Sequence, residues 1–97
     1  MNILKGMTDL LFSSKGKKGV LPKKVELMII TMEECGELIQ GCSKYIRYGD
    51  TNGIKEEAGD IYAMLELMVE YNILNWKDIK QQAQIKRKKL SKFSNLL

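Results

Sequence analysis

The stretch "KEEAGDIYAMLELM", residues 55–68, carries the reading of the fold. Apolar residues recur in it at helical spacing, without the alternation that marks a half-buried strand. Projected at roughly 100° per residue, Ile61, Met64, Leu65, Leu67 and Met68 share one arc with Ile54 and Val69. Lys55, Glu56, Glu66 and Glu70 take the opposite arc, as solvent-facing residues should. Glu57 and Asp60 do not join them. Glu57 falls inside the apolar arc, and Asp60 falls between Met64 and Leu67. Carboxylates so placed face a neighbouring element, and an ionised one removed from water needs a partner or a cation.

Upstream, the run from Lys23 to Tyr45–Tyr48 holds no strong breaker and predicts a first helix. Pro22 suits its first position, and Gly49 with Asp50 ends it. "GDTNG", residues 49–53, reads as a turn. A second helix follows from about Gly53 to Tyr71. Asn75 is a good N-cap, with Asp78 three residues on, and opens a third helix from Trp76 to about Phe93.

In the first helix Met28, Met32, Cys35, Leu38, Ile39, Cys42 and Ile46 form one apolar face, with both cysteines read as small core residues. Glu26, Glu33, Glu37 and Lys44 form a stripe nearly opposite, with Glu34 beside it and Ile29 and Ile30 on its flanks. A helix apolar almost all round is buried on more than one side, which puts these acids near a second contact surface. Gly36 and Gly41 each cost about 1 kcal/mol of helix propensity relative to alanine. They either admit another backbone or a ligand or are simply tolerated, and tolerance is the plainer reading.

The expected product is an all-α domain of three main helices over residues 22–97, preceded by a weakly patterned segment, residues 1–21. A chain of 97 residues builds only a modest core, so completion by oligomerisation is expected. Disulfides do not supply it, because Cys35 and Cys42 stand roughly 10 Å apart along one helix. Neither a secretory signal nor a spanning run is found, so no membrane and a cytoplasmic location are expected. The net charge of +4 is uneven, with Lys15, Lys17, Lys18, Lys23 and Lys24 in one cluster and Lys86, Arg87, Lys88, Lys89 and Lys92 in another. Such clusters are solvated faces or attractors of phosphate. Histidine is absent, which excludes Ser-His and Cys-His nucleophile systems and the common His-containing zinc sites.

Carboxylates, lysines and metal therefore have to carry any chemistry. Glu34 and Glu37 are an i,i+3 pair on the first helix, and Glu57 and Asp60 are another on the second. Face to face, the pairs would place four carboxylates around one small volume. A hard cation such as Mg²⁺, or Mn²⁺, would relieve their repulsion; lysines forming salt bridges would do so too. A tight hairpin turning at Tyr48 would leave Glu37 near 10 Å deeper than Glu57. Either the first helix bends or ends near Tyr45, or a second chain completes the quartet.

These residues resemble a known family. "EECGE", residues 33–37, followed by "EAGD", residues 57–60, is similar to the EExxE…ExxD signature of the MazG-like all-α nucleoside triphosphate pyrophosphohydrolases. The intervening "LIQGCSKYIRYG" and trailing "IYAMLELM" look like small phage and bacterial members, and the resemblance covers roughly Val25 to Leu90. It implies a MazG-like helical bundle, a homodimer or homotetramer, that hydrolyses (d)NTPs with Mg²⁺ to the (d)NMP plus pyrophosphate. Carried over, Glu34, Glu37, Glu57 and Asp60 would hold metal. Glu33 would position or deprotonate the attacking water. Lys44, Arg47, Lys86 and Lys89 would meet the triphosphate. Family members often carry an Asn a turn before the final basic residues, and "KRKKLSKF" has none. Trp76, Tyr45, Tyr48 and Tyr62 could stack on a base or pack in a core or interface.

Two other classes compete. One is a basic helical module binding nucleic acid through Lys86–Lys92, which is less expected and would weaken steeply with salt. The other is a helical dimer that binds nucleotide without turnover.

Overall fold

A computed structural model describes residues 21–97, and among them there are three helices and no strand. They are α1, Lys23–Tyr48; α2, Asn52–Glu70; and α3, Trp76–Phe93. The all-α expectation holds. The weakly patterned segment up to residue 20, with Lys15, Lys17 and Lys18, lies outside the described residues. The chain divides into two compact units, the first ending at Leu67 and the second running from Met68 to Leu97. No described helix is long and apolar enough to cross a membrane.

Each helix end has a local chemical cause. Pro22 is the N-cap of α1, not its first helical residue; its backbone is extended and its carbonyl accepts from Glu26 N–H at 3.0 Å. Gly49 closes α1 at φ 70°, a left-handed conformation that glycine adopts without a Cβ penalty, and its N–H donates to Tyr45 O at 2.8 Å. Asp50 Oδ1 then accepts from Asn52 N–H at 2.9 Å and starts α2. Beyond α2, Asn72 takes φ 61°, and Ile73 N–H returns to Met68 O at 2.8 Å. At α3, Asn75 accepts from Asp78 N–H at 2.9 Å and donates its amide to Asp78 Oδ2 at 2.9 Å. The capping pair read from sequence is present.

Within the first unit, α1 and α2 touch backbone to backbone at two glycines. A Cβ built on Gly41 would stand 3.2 Å from Gly53 C and 3.2 Å from Ile54 N. Close approach, not tolerance, explains Gly41. This contact also resolves the depth problem. The helix α1 does not end near Tyr45; it runs to Tyr48, seven residues past Gly41, about 10 Å. The chain then comes back through residues 49–51, so α2 already lies against Gly41 in its first turn.

Burial on α2 follows the projection: Lys55, Glu56, Glu66 and Glu70 are exposed, while Glu57, Asp60, Ile61, Met64, Leu65 and Leu67 are half-buried. Burial on α1 reverses it. Leu27, Ile29 and Gly41 are its buried residues, whereas Met28, Met32, Cys35, Ile39, Cys42 and Ile46 are exposed. Cys35 and Cys42 are free and exposed, so the core reading of both fails. Only Leu38 of that face is half-buried.

Substitution at two glycines tests the crossing. Gly59 has nothing within 4 Å of an added Cβ, so Gly59→Ala should stabilise the protein, by up to about 1 kcal/mol of helix propensity. Gly41→Leu should destabilise it instead, by forcing the two backbones apart. Thermal unfolding followed by circular dichroism reads both, and a stable Gly41→Leu would remove the backbone contact from this account.

Candidate metal centre

The glycine crossing sets which acids meet. Glu34 lies seven residues before Gly41 on α1, about 10 Å along the axis. Glu57 and Asp60 lie four and seven residues after Gly53 on α2, about 6 and 10 Å. The helices run antiparallel, so Glu34 and Asp60 reach the same level, with Glu57 one turn nearer the crossing. One carboxylate oxygen from each of Glu34, Glu57 and Asp60 lies within 4.8 Å of the other two, and all three residues are half-buried. Leu27, Glu34 and Gly41 share one face of α1 at seven-residue spacing, and that face meets α2.

Glu37, the fourth expected ligand, is half-buried but does not belong to this group. It sits one turn nearer the crossing and roughly 60° round the helix from Glu34. Glu33, the expected water-positioning acid, is half-buried next to Glu34. Lys44 and Arg47 are exposed beyond Gly41, about 15 and 20 Å along α1 from Glu34. The Arg47 guanidinium lies over the Tyr48 ring, 5.3 Å from its centroid. Lys86 and Lys89 are exposed on α3, in the second unit. Lys89 lines a groove of about 290 Å³ with Ile85, Lys88, Lys92 and Phe93.

The electrostatics of the trio are those of a site short of positive charge. The Glu34 carboxyl is pushed up from its ordinary 4.5 to about 8. A hydrogen bond shared with Glu57 is the largest cause, followed by burial and by the charges of Glu57 and Asp60. Every one of these influences raises it, and none of them is a lysine among the described residues. Glu57 Oε2 is shut off from solvent and has no hydrogen-bond partner among the described residues, although Glu57 bonds Glu34. An orphaned buried oxygen of this kind is costly and asks for an explanation. A cation fits it. Three carboxylate oxygens within 4.8 Å of one another offer a divalent ion such as Mg²⁺ the hard oxygen donors it takes.

The sequence projection already singled out Glu57 and Asp60. It missed the signal that chose Glu34 over Glu37, which is the seven-residue spacing from Leu27 through Glu34 to Gly41. No family model, curated protein or solved structure matches the chain.

The raised Glu34 value makes a signed prediction. A folded-state value above the unfolded one means that the folded chain holds the proton more tightly. Its contribution to metal-free stability is then complete below about 4.5 and is lost as pH rises through about 8. Chelator-treated protein should melt at progressively lower temperature across that window. Added Mg²⁺ or Mn²⁺ should raise the melting temperature most at the alkaline end, where Glu34 gives up its proton to the ion. Glu34→Gln should remove both the slope and the metal effect; a metal effect that survives it would contradict the assignment.

Proposed function

We propose that the chain is a Mg²⁺-dependent nucleoside triphosphate pyrophosphohydrolase of the MazG-like kind, cleaving (d)NTPs to the (d)NMP and pyrophosphate. The observation that supports this reading best is the convergence of Glu34, Glu57 and Asp60 from two antiparallel helices around an unsatisfied Glu57 oxygen. These are the acids of the EExxE…ExxD pattern, and their environment disfavours three bare negative charges.

Glu34, Glu57 and Asp60 would hold the ion, and Glu37 stands one turn along α1 from Glu34. A divalent ion there lowers the pKa of water and offsets phosphate charge, so the absence of histidine is no obstacle. Glu33, next to Glu34 in the chain, orients or deprotonates the water that attacks the α-phosphorus. The P–O bond to the β-phosphate breaks, and pyrophosphate leaves. By analogy with the family, Lys44, Arg47, Lys86 and Lys89 would meet the phosphates; the first two lie about 15 and 20 Å along α1 from Glu34.

A product assay over a nucleotide panel with Mg²⁺ tests the reading. Monophosphate plus pyrophosphate is the expected outcome; diphosphate plus phosphate would contradict it, and bound nucleotide without release would leave a silent binding fold. Glu57→Gln and Asp60→Asn should each lower kcat by at least about 100-fold while the protein stays folded. Glu37→Gln should slow turnover by a smaller factor. Nucleic-acid binding that is steeply salt-dependent and indifferent to Glu57→Gln would instead favour a basic binding module.

A further inference from the structure

The second unit concentrates its positive charge in one stretch. Residues 79–97 hold six cations, Lys80, Lys86, Arg87, Lys88, Lys89 and Lys92, and no acid. The carboxylates that commonly neutralise helical lysines from three or four residues away are missing here. All six cations are exposed, and none forms an ion pair among the described residues. Large apolar side chains stand among them in water. Phe93 is 86% exposed, the most of any large apolar residue described, and Leu96 is 77% exposed. Ile85, Lys88, Lys89, Lys92 and Phe93 follow i, i+3, i+4, i+7, i+8 spacing, so one face of α3 carries them. Together they line the groove of about 290 Å³. The half-buried apolar residues of α3, Trp76, Ile79 and Leu90, lie roughly opposite.

We infer that this face of α3, with Leu96 and Leu97 beyond it, adsorbs to the surface of an anionic lipid bilayer. Charge complementarity fixes the sign of the partner, since unpaired cations with no acid among them attract a polyanion. The apolar residues choose which polyanion. A nucleic acid would stack a base on Phe93, but its phosphates and sugars offer nothing to Ile85, Leu96 and Leu97. A bilayer serves both kinds of side chain at once. Headgroup phosphates meet the ammonium groups, while Phe93 and the leucines enter the boundary with the acyl chains. Lysine suits that depth, because its four-carbon stem lies along apolar surface while its charged head stays in water. Asp78, the one acid of α3, sits two turns before Ile85, about 10 Å away, where it also caps the helix. The helix is too polar to cross a membrane, so the adsorption is peripheral and reversible. It does not rest on the hydrolase reading, because it involves no residue of the acidic trio, and turnover could fail while it stands.

Co-sedimentation of the full chain with lipid vesicles tests it. At about 0.1 M salt the protein should pellet with phosphatidylcholine vesicles carrying about 30% phosphatidylglycerol, and should stay in solution with phosphatidylcholine alone. Raising the salt to about 0.5 M should weaken the binding by about 10-fold or more. The double variant Lys88→Glu, Lys92→Glu should bind about 100-fold more weakly. The double variant Phe93→Ser, Leu96→Ser should bind about 10-fold more weakly at unchanged charge. All four side chains are exposed, so circular dichroism should show helicity retained in both variants. A wild-type protein that ignores the anionic vesicles would overturn the proposal. Undiminished binding by the lysine variant would overturn it too, and undiminished binding by the Phe93–Leu96 variant would reduce it to bare charge attraction and overturn the insertion. Binding of a single-stranded oligonucleotide without binding of the vesicles would overturn it in favour of nucleic acid.

Discussion

The contact between Gly41 on α1 and the Gly53–Ile54 backbone on α2 is the constraint from which the first unit follows. The helices come this close because Gly41 carries no Cβ, which would stand 3.2 Å from the α2 backbone. The crossing then fixes the axial register, because the rise per residue is constant and distances from it are counted in residues. Glu34 and Asp60 stand seven residues from their glycines and meet at one level. A bulkier residue at Gly41 would separate the helices and disturb the trio along with the register. Position 41 therefore bears on the candidate site although it holds no chemistry itself.

The acidic trio is a local conflict inside an otherwise consistent helix pair. Glu57 sits where α2 should be apolar, one of its oxygens lacks a partner, and Glu34 retains its proton far above the usual carboxylate range. Conflicts of this kind reduce stability unless something relieves them, and at functional sites a ligand commonly does so. The proton on Glu34 is one relief. A divalent ion is a stronger one, and it supplies the chemistry that a chain without histidine otherwise lacks.

The same helix carries both faces of the molecule's chemistry. One side of α1 brings Leu27, Glu34 and Gly41 to α2. The other presents the apolar stripe of Met28, Met32, Ile39 and Ile46 to solvent. A helix apolar almost all round is buried on more than one side, and here α2 accounts for only one of them. The run of α1 on to Tyr48 extends the outward stripe more than one turn beyond the crossing, as far as Ile46.

Sequence alone determined the three helices, their ends at Gly49 and Asn75, and the misplaced acids Glu57 and Asp60, because caps and periodicity act within a few residues of chain. Both acids were legible because the rest of α2 has a single apolar arc, and a charge inside it is conspicuous. On α1 that test failed. Apolar residues flank its acids on both sides, so no single face is distinguished, and Cys35, Ile39 and Ile46 read as core although they are exposed. Glu37 likewise matched the pattern as well as Glu34 did, yet only Glu34 lies in the group. Tertiary structure decided both points. Which side of a helix meets its neighbour depends on where two backbones can approach most closely, and that depends on glycines on separate helices, which local periodicity does not register.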